Sequence, residues 1–350
     1  MSFCVRIQAT DRKFTVEAGE SILDAALRQG IALPYGCRDG ACGSCRGKIL
    51  IGRIHYPNGP PLGWDTGDAN GGEALLCQAR PDSDLIIAAN EIEAVGQPPF
   101  RRLPCRVASM ERLTHDVMRL RLTLPPTERL QFLAGQYVNV LLKDGHRRGF
   151  SIANAPEDDA FVELHVRHVP GGTFTDHVFN AMKPRAMLRI EGPLGGFYLR
   201  EDSQRPVILL GGGTGFAPLK GMLEHAFYRN DRRAMHLFWG VRSRRDLYQQ
   251  DLIENWLRQH ARFQYTPVMS EPRANDQWQG EIGLVSEVLL RHYPDLSGHD
   301  VYVAGPPAMI EAARGELLRH ALPENRLFSD AFEFGADRRK ATAQAALPTA

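Results

Sequence analysis

The sequence predicts a multidomain chain of three successive fold classes: a small α+β domain over residues 1–92, an all-β barrel over 103–200 and an α/β domain with a parallel sheet over 204–335. Three observations predict it. Before residue 92, two short strand patterns and a helical one lead into a loop rich in cysteine and glycine. Between Leu103 and about Arg200, apolar residues alternate with polar ones at the period of half-buried strands, as in DVMRLRLTL and FVELHVRHV. From Gln204, wholly apolar strands alternate with helical patterns, the signature of a parallel sheet. Residues 93–102, with Pro98 and Pro99, read as a linker, and 336–350 as a disordered tail.

Within the first domain, CVRI and RKFTV read as paired strands about a turn at Asp11 and Arg12. Ser21 caps a helix over SILDAALRQ, with Asp24 at its third position and Gly30 beyond its last turn. Cys37, Cys42 and Cys45 then stand in a C-x4-C-x2-C run, and Cys77 follows thirty-one residues later, the plant-type 2Fe-2S spacing. Four thiolates suit an iron-sulfur centre or zinc. Gly36, Gly40, Gly43 and Gly47 let the loop fold tightly around an anionic core, and the three-plus-one arrangement differs from the paired cysteines of zinc sites. The cluster is therefore preferred to zinc. Trp64, in the Gly/Pro-rich stretch before Cys77, reads as packed on its own domain rather than as a docking anchor. Cys4 and Cys105 read as buried strand residues without chemistry.

The second domain offers Arg148, Phe150 and Ser151 in RGFSIAN: a cation for a phosphate, an aromatic wall and a small hydroxyl. VRHVPGGTFT follows, where Gly172 and Thr175 can bring an N–H and a hydroxyl to a phosphate. In the third domain, GGGTGFAP places Gly213, Thr214, Gly215 and Pro218 in a G-x-G-x-x-P turn opening a helix, where free amides and the dipole favour a dinucleotide pyrophosphate.

These residues carry a resemblance. The first domain resembles plant-type ferredoxins, which implies a β-grasp fold. The second and third are similar to the flavin barrel and nucleotide domain of the ferredoxin-NADP reductase superfamily. That resemblance implies FAD held by Arg148, Phe150 and Ser151, with Ser151 catalytic near the reactive N5, and pyrophosphate contacts from Gly172, Thr175 and Arg167. It implies a nicotinamide beside Gly305, Pro306 and Pro307 of YVAGPPAM, where Ala304 replaces the family's cysteine. WGVRSRRDLY, with Arg242 and Asp246, resembles NADH-preferring members, although Arg244 and Arg245 leave NADPH open. Phe332 and Phe334 fall where the family covers its flavin, and core packing explains them equally well.

Electrons are then expected to run from NADH through FAD and the 2Fe-2S cluster to a protein acceptor. Two groups share this domain order: reductases serving a pyridoxamine phosphate (PMP)-dependent dehydratase that removes the 3-hydroxyl of a CDP-hexose, preferred on the closest motif match, and reductase components of bacterial mono- and dioxygenases. A redox sensor without steady turnover is the reading of another class. Lys plus Arg number 42 against 41 Asp plus Glu, so no global field points to nucleic acid. The N-terminus lacks a signal-peptide pattern and no apolar run is long enough for a membrane span, so a cytoplasmic location is expected.

Overall fold

A computed structural model describes residues 2–31, 33–35, 38, 40, 43, 45–61, 72–89 and 98–332. Cys37, Cys42, Trp64, Phe334 and the tail lie outside the described residues. The chain forms two compact units. The first contains the chain before Pro98, the Gly195–Phe197 segment and the end of the last strand, and the second contains the rest.

In the first unit, β1 (Phe3–Ile7) pairs antiparallel with β2 (Lys13–Val16), the chain turning through Asp11 at φ 56°. Helix α1 (Ile22–Arg28) starts at Ser21, whose hydroxyl accepts the Asp24 N–H at 3.1 Å, as its sequence predicts. Then follow β3 (Arg46–Ile51), β4 (Ile54–His55), β5 (Glu73–Leu75), β6 (Arg80–Pro81) and β7 (Leu85–Ala88). The main sheet has the order β2-β1-β7-β3-β5, and β4 and β6 form a small pair of their own. Val5, Ile7, Phe14, Ile22, Leu23 and Ile87 fill the core between sheet and α1. Cys4 points away from that core and is exposed, correcting the expectation of burial, because its inward neighbours on β1 are Val5 and Ile7.

The second unit opens with a barrel. Its strands are β8 (Arg101–Arg112), β9 (Val117–Thr123), β10 (Tyr137–Leu141), β11 (Arg147–Ser151), β12 (Val162–Arg167) and β13 (Met187–Leu194), in the order β11-β10-β13-β8-β9-β12. An Ile152–Leu164 bridge joins the two edges and closes it. Arg101 and Arg102, read from sequence as linker, already belong to β8. The expected run of strand alone is also interrupted, by α2 (Thr173–Asn180). That helix is short, rich in threonine and aromatic residues, and capped by Gly172 without a side-chain hydrogen bond, so neither propensity nor cap announces it.

The same unit holds a parallel sheet. After β14 (Val207–Gly212), a 3-10 turn (Gly213–Gly215) leads into α3 (Phe216–Tyr228). The chain continues through β15 (Met235–Val241), a second 3-10 turn (Arg244–Asp246), α4 (Gln250–Gln259), β16 (Phe263–Met269), β17 (Glu281–Ile282) and α5 (Val285–His292). It closes with β18 (Asp300–Gly305), α6 (Pro307–Arg319) and β19 (Leu327–Ala331). The order is β17-β16-β15-β14-β18-β19. Strand order reverses between β14 and β18, and at such a switch point the carboxyl ends of two strands diverge to leave a crevice.

Candidate functional site

The two glycine motifs lie at that switch point. Gly213–Gly215 continues β14 and Gly305–Pro307 ends β18, so their separation of about ninety residues in sequence disappears in the fold. Contact at Gly215 is backbone to backbone: a Cβ there would lie 1.9 Å from the Ala304 carbonyl oxygen. A Cβ on Gly212 would meet the Met309 sulfur at 2.4 Å. Gly213 adopts φ +55°, and the Trp239 indole N–H donates to its carbonyl at 2.8 Å. Pro218 sits in the first turn of α3, where its missing N–H costs nothing. Ala304 is fully buried and pairs with Gly211.

Barrel residues reach this turn. The Arg167 guanidinium lies over Gly213, with Nη1 2.5 Å from where a Cβ would be, and its Nε donates to Asp116 at 2.9 Å. Burial works to raise the Asp116 carboxyl, but Arg167 and Thr114 outweigh it and hold it below the usual carboxylate range.

Arg148 and Phe150 alternate along one face of β11, opposite Val140 and Val138 of β10, while Ser151 turns the other way and is buried. The Phe150 ring packs 5.4 Å from Phe174, in the first turn of α2, which brings the R-x-F-S and G-x-x-T segments together. Two expected phosphate donors there have other partners. The Gly172 N–H donates to the Val169 carbonyl (2.9 Å), and the Thr175 hydroxyl donates to that carbonyl and accepts the Val169 N–H. The outward-facing donors are therefore the first-turn amides of α2.

Asp246 is likewise engaged. Its carboxylate accepts the Ser243 N–H (2.9 Å) and hydroxyl (3.0 Å), closing the 3-10 turn it belongs to. Arg244 donates to the Asp276 carbonyl, whereas Arg242 is exposed. Phe332 is half-buried and belongs to the first unit.

In the first unit, Cys45 directly precedes β3 and Cys77 follows β5 by two residues. The strands are antiparallel, with Arg46 opposite Leu75, and the Cys45 carbonyl accepts the Leu76 N–H. The ladder thus delivers both buried thiols to one end. Gly40 (φ +80°) and Gly43 (φ +70°) supply the left-handed turns of the ligand loop, and a Cβ on Gly40 would strike Pro61 at 2.6 Å.

Residues 5–82 match the family described as a 2Fe-2S iron-sulfur cluster binding domain, 104–198 an oxidoreductase FAD-binding domain and 209–315 an oxidoreductase NAD-binding domain. Over 332 residues the chain is 39% identical to a CDP-6-deoxy-L-threo-D-glycero-4-hexulose-3-dehydrase reductase of Yersinia pestis, covering 95% of this chain and 99% of that one. The chain belongs to the iron-sulfur flavoprotein reductases. A reductase component of terephthalate 1,2-dioxygenase from Comamonas sp. is 34% identical, over 95% and 98% of the two chains. The crystal structure of an Amycolatopsis cytochrome P450 reductase superposes with a TM-score of 0.76 at 33% identity, over 94% and 98%.

The reductase's cofactors are thus a 2Fe-2S cluster, FAD and NADH. Together they accept a hydride pair and release electrons singly. The residues fit these groups: soft thiols at a ladder end, a cation and an aromatic ring on β11 beside a helix N-terminus, and a close-packed glycine turn at a switch point.

Sequence reasoning overlooked Asp116, Glu163, His165, Lys220, Trp239 and Tyr248. Glu163 and His165 alternate with the apolar residues of β12 and were expected to face solvent, yet the strand is buried on both faces. Their signal was an acid and a histidine two apart on a strand whose second face another element covers.

Proposed function

We propose that this reductase supplies electrons to the PMP-dependent dehydratase step of CDP-hexose 3-deoxygenation, in the cytoplasm. The observation carrying this reading is the 39% identity across 99% of the Yersinia pestis reductase. In it, residues 1–92, 103–200 and 204–335 are the iron-sulfur, flavin and nucleotide domains. Cys37, Cys42, Cys45 and Cys77 ligate the cluster. Arg148, Phe150 and Ser151 hold FAD, with the start of α2 and Arg167 toward its pyrophosphate. Gly213, Thr214, Gly215, Pro218 and Gly305–Pro307 line the NADH crevice, Arg242 and Asp246 shape its adenosine end, and Phe332 flanks the flavin. The similarity to dioxygenase and P450 reductases supports the alternative of an oxygenase partner.

Reconstitution separates the two. Holoenzyme with NADH should sustain 3-deoxygenation by a purified CDP-hexose dehydratase. Rapid NADH oxidation coupled to a purified oxygenase, with none for the dehydratase, would reverse the assignment. Anaerobic NADH should bleach the flavin within the turnover time, an outcome that a sensor without turnover would not give.

A further inference from the structure

We propose that Lys220, Glu163, His165 and Tyr248 form a buried positioning joint that fixes the nucleotide turn against the flavin segment and thereby governs the rate of hydride transfer. The proposal rests on reading Arg148–Ser151 as the flavin segment and Gly213–Gly215 as the nucleotide turn.

Helix α3 grows directly out of that turn. Lys220, one turn in, donates from Nζ to the Ala153 carbonyl at 3.0 Å, and Ala153 lies two residues past Ser151. Gly221 allows the approach, since a Cβ there would be 2.9 Å from the Asn154 oxygen and 3.2 Å from that of Ile152. The same Nζ lies 3.3 Å from Glu163 Oε1 and 2.9 Å from Glu224. Glu163 also accepts from Arg121 of β9 (3.1 Å) and from His165 Nε2 (3.1 Å). A carboxylate can only accept, so Nε2 carries the imidazole proton and Nδ1 is left to accept from the Tyr248 hydroxyl at 3.2 Å. Tyr248 ends the R-x-x-x-D-L-Y motif and packs edge-on against Phe216 and Trp239, the two residues that flank the glycine turn. Two residues beyond His165, Arg167 presses on Gly213.

The strand that lies beside the flavin segment therefore grips the nucleotide helix and turn at three points. Lys220 and Glu163 side chains are 5% and 2% exposed, and buried ion pairs are often no more stabilising than apolar residues of the same shape. Directional bonds confer what apolar packing does not, a single relative placement, and hydride transfer is steep in that placement.

Full-length holoenzyme carrying Lys220→Met or Tyr248→Phe tests this by anaerobic stopped-flow reduction with NADH. The limiting rate per bound FAD should fall by about ten- to a hundredfold for Lys220→Met, and less for Tyr248→Phe. FAD per chain and half-saturating NADH should stay near wild type, and the isotope effect from 4-deuterated NADH should rise. Wild-type rates per bound FAD in both variants, whatever their stability, would make the joint structural only and overturn the proposal. Where Lys220→Met does not fold, Tyr248→Phe decides alone. Arg148→Ala is the control for the underlying reading. If it retains full FAD, the flavin-segment assignment fails, and the proposal with it, independently of the joint variants.

Discussion

A methyl group at position 215 has nowhere to go. Its nearest neighbour is a backbone carbonyl, which cannot swing aside as a side-chain tip would. Gly215→Ala should therefore cost about 3 kcal/mol, at the upper end for overpacking, and raise the half-saturating NADH concentration. Gly298→Ala, with nothing within 4 Å, should stay within about 0.5 kcal/mol of wild type. Denaturant unfolding of the pair checks this, and equal stabilities would mean that β18 can retreat from the turn. Glu163 yields a pH prediction. Burial works to raise its carboxyl, but the His165 hydrogen bond and the Lys220 charge outweigh burial and hold it well below its ordinary 4.5. A carboxyl depressed on folding contributes stability that is complete above that ordinary value and is lost as pH falls through the folded one. The stability gap between wild type and Glu163→Gln should thus be constant at neutral pH and narrow below about pH 4.5. A gap that does not change on acidification would contradict the pairing.

At the scale of elements, legibility followed local chemistry. Helix α1 was readable because Ser21, Asp24 and Gly30 each perform a local task, and the Ser21 hydroxyl bonds as expected. Ser21→Ala should cost about 1 kcal/mol by losing that cap, measurable as a lower unfolding midpoint with unchanged denaturant dependence. MHLFWGV, FQYTPVM and DVYVAG became β15, β16 and β18 with their expected ends, because apolar runs bounded by glycine or charge define buried strands. Helix α2 was hidden by its composition. The two-sided burial of β12 was hidden for another reason: the element that covers Glu163 and His165 is α3, which begins about fifty residues later. No window along the chain contains both.

For the whole molecule, the motifs identified cofactors before any coordinates, since C-x4-C-x2-C, R-x-F-S and G-x-G-x-x-P each carry a ligand's chemistry in a few adjacent residues. Individual roles were less legible. Asp246 and Thr175 match a motif by position, yet each spends its oxygen on a local turn. The order of electron flow gives a test on the intact chain. Cys42→Ser removes a proposed cluster ligand, so it should leave NADH-dependent ferricyanide reduction near wild type while abolishing cytochrome c reduction. Retained cytochrome c activity would place the exit of electrons elsewhere.

The grip of α3 on the barrel also bears on inheritance. Composition marks a seam between Arg200 and Gln204, where a recombination event or a chimera designer would cut. A crossover there would give Lys220 of one parent to Glu163 of another, with both charges still enclosed. Viable hybrids should therefore exchange the barrel and the parallel sheet as one block, with breakpoints ahead of Pro98.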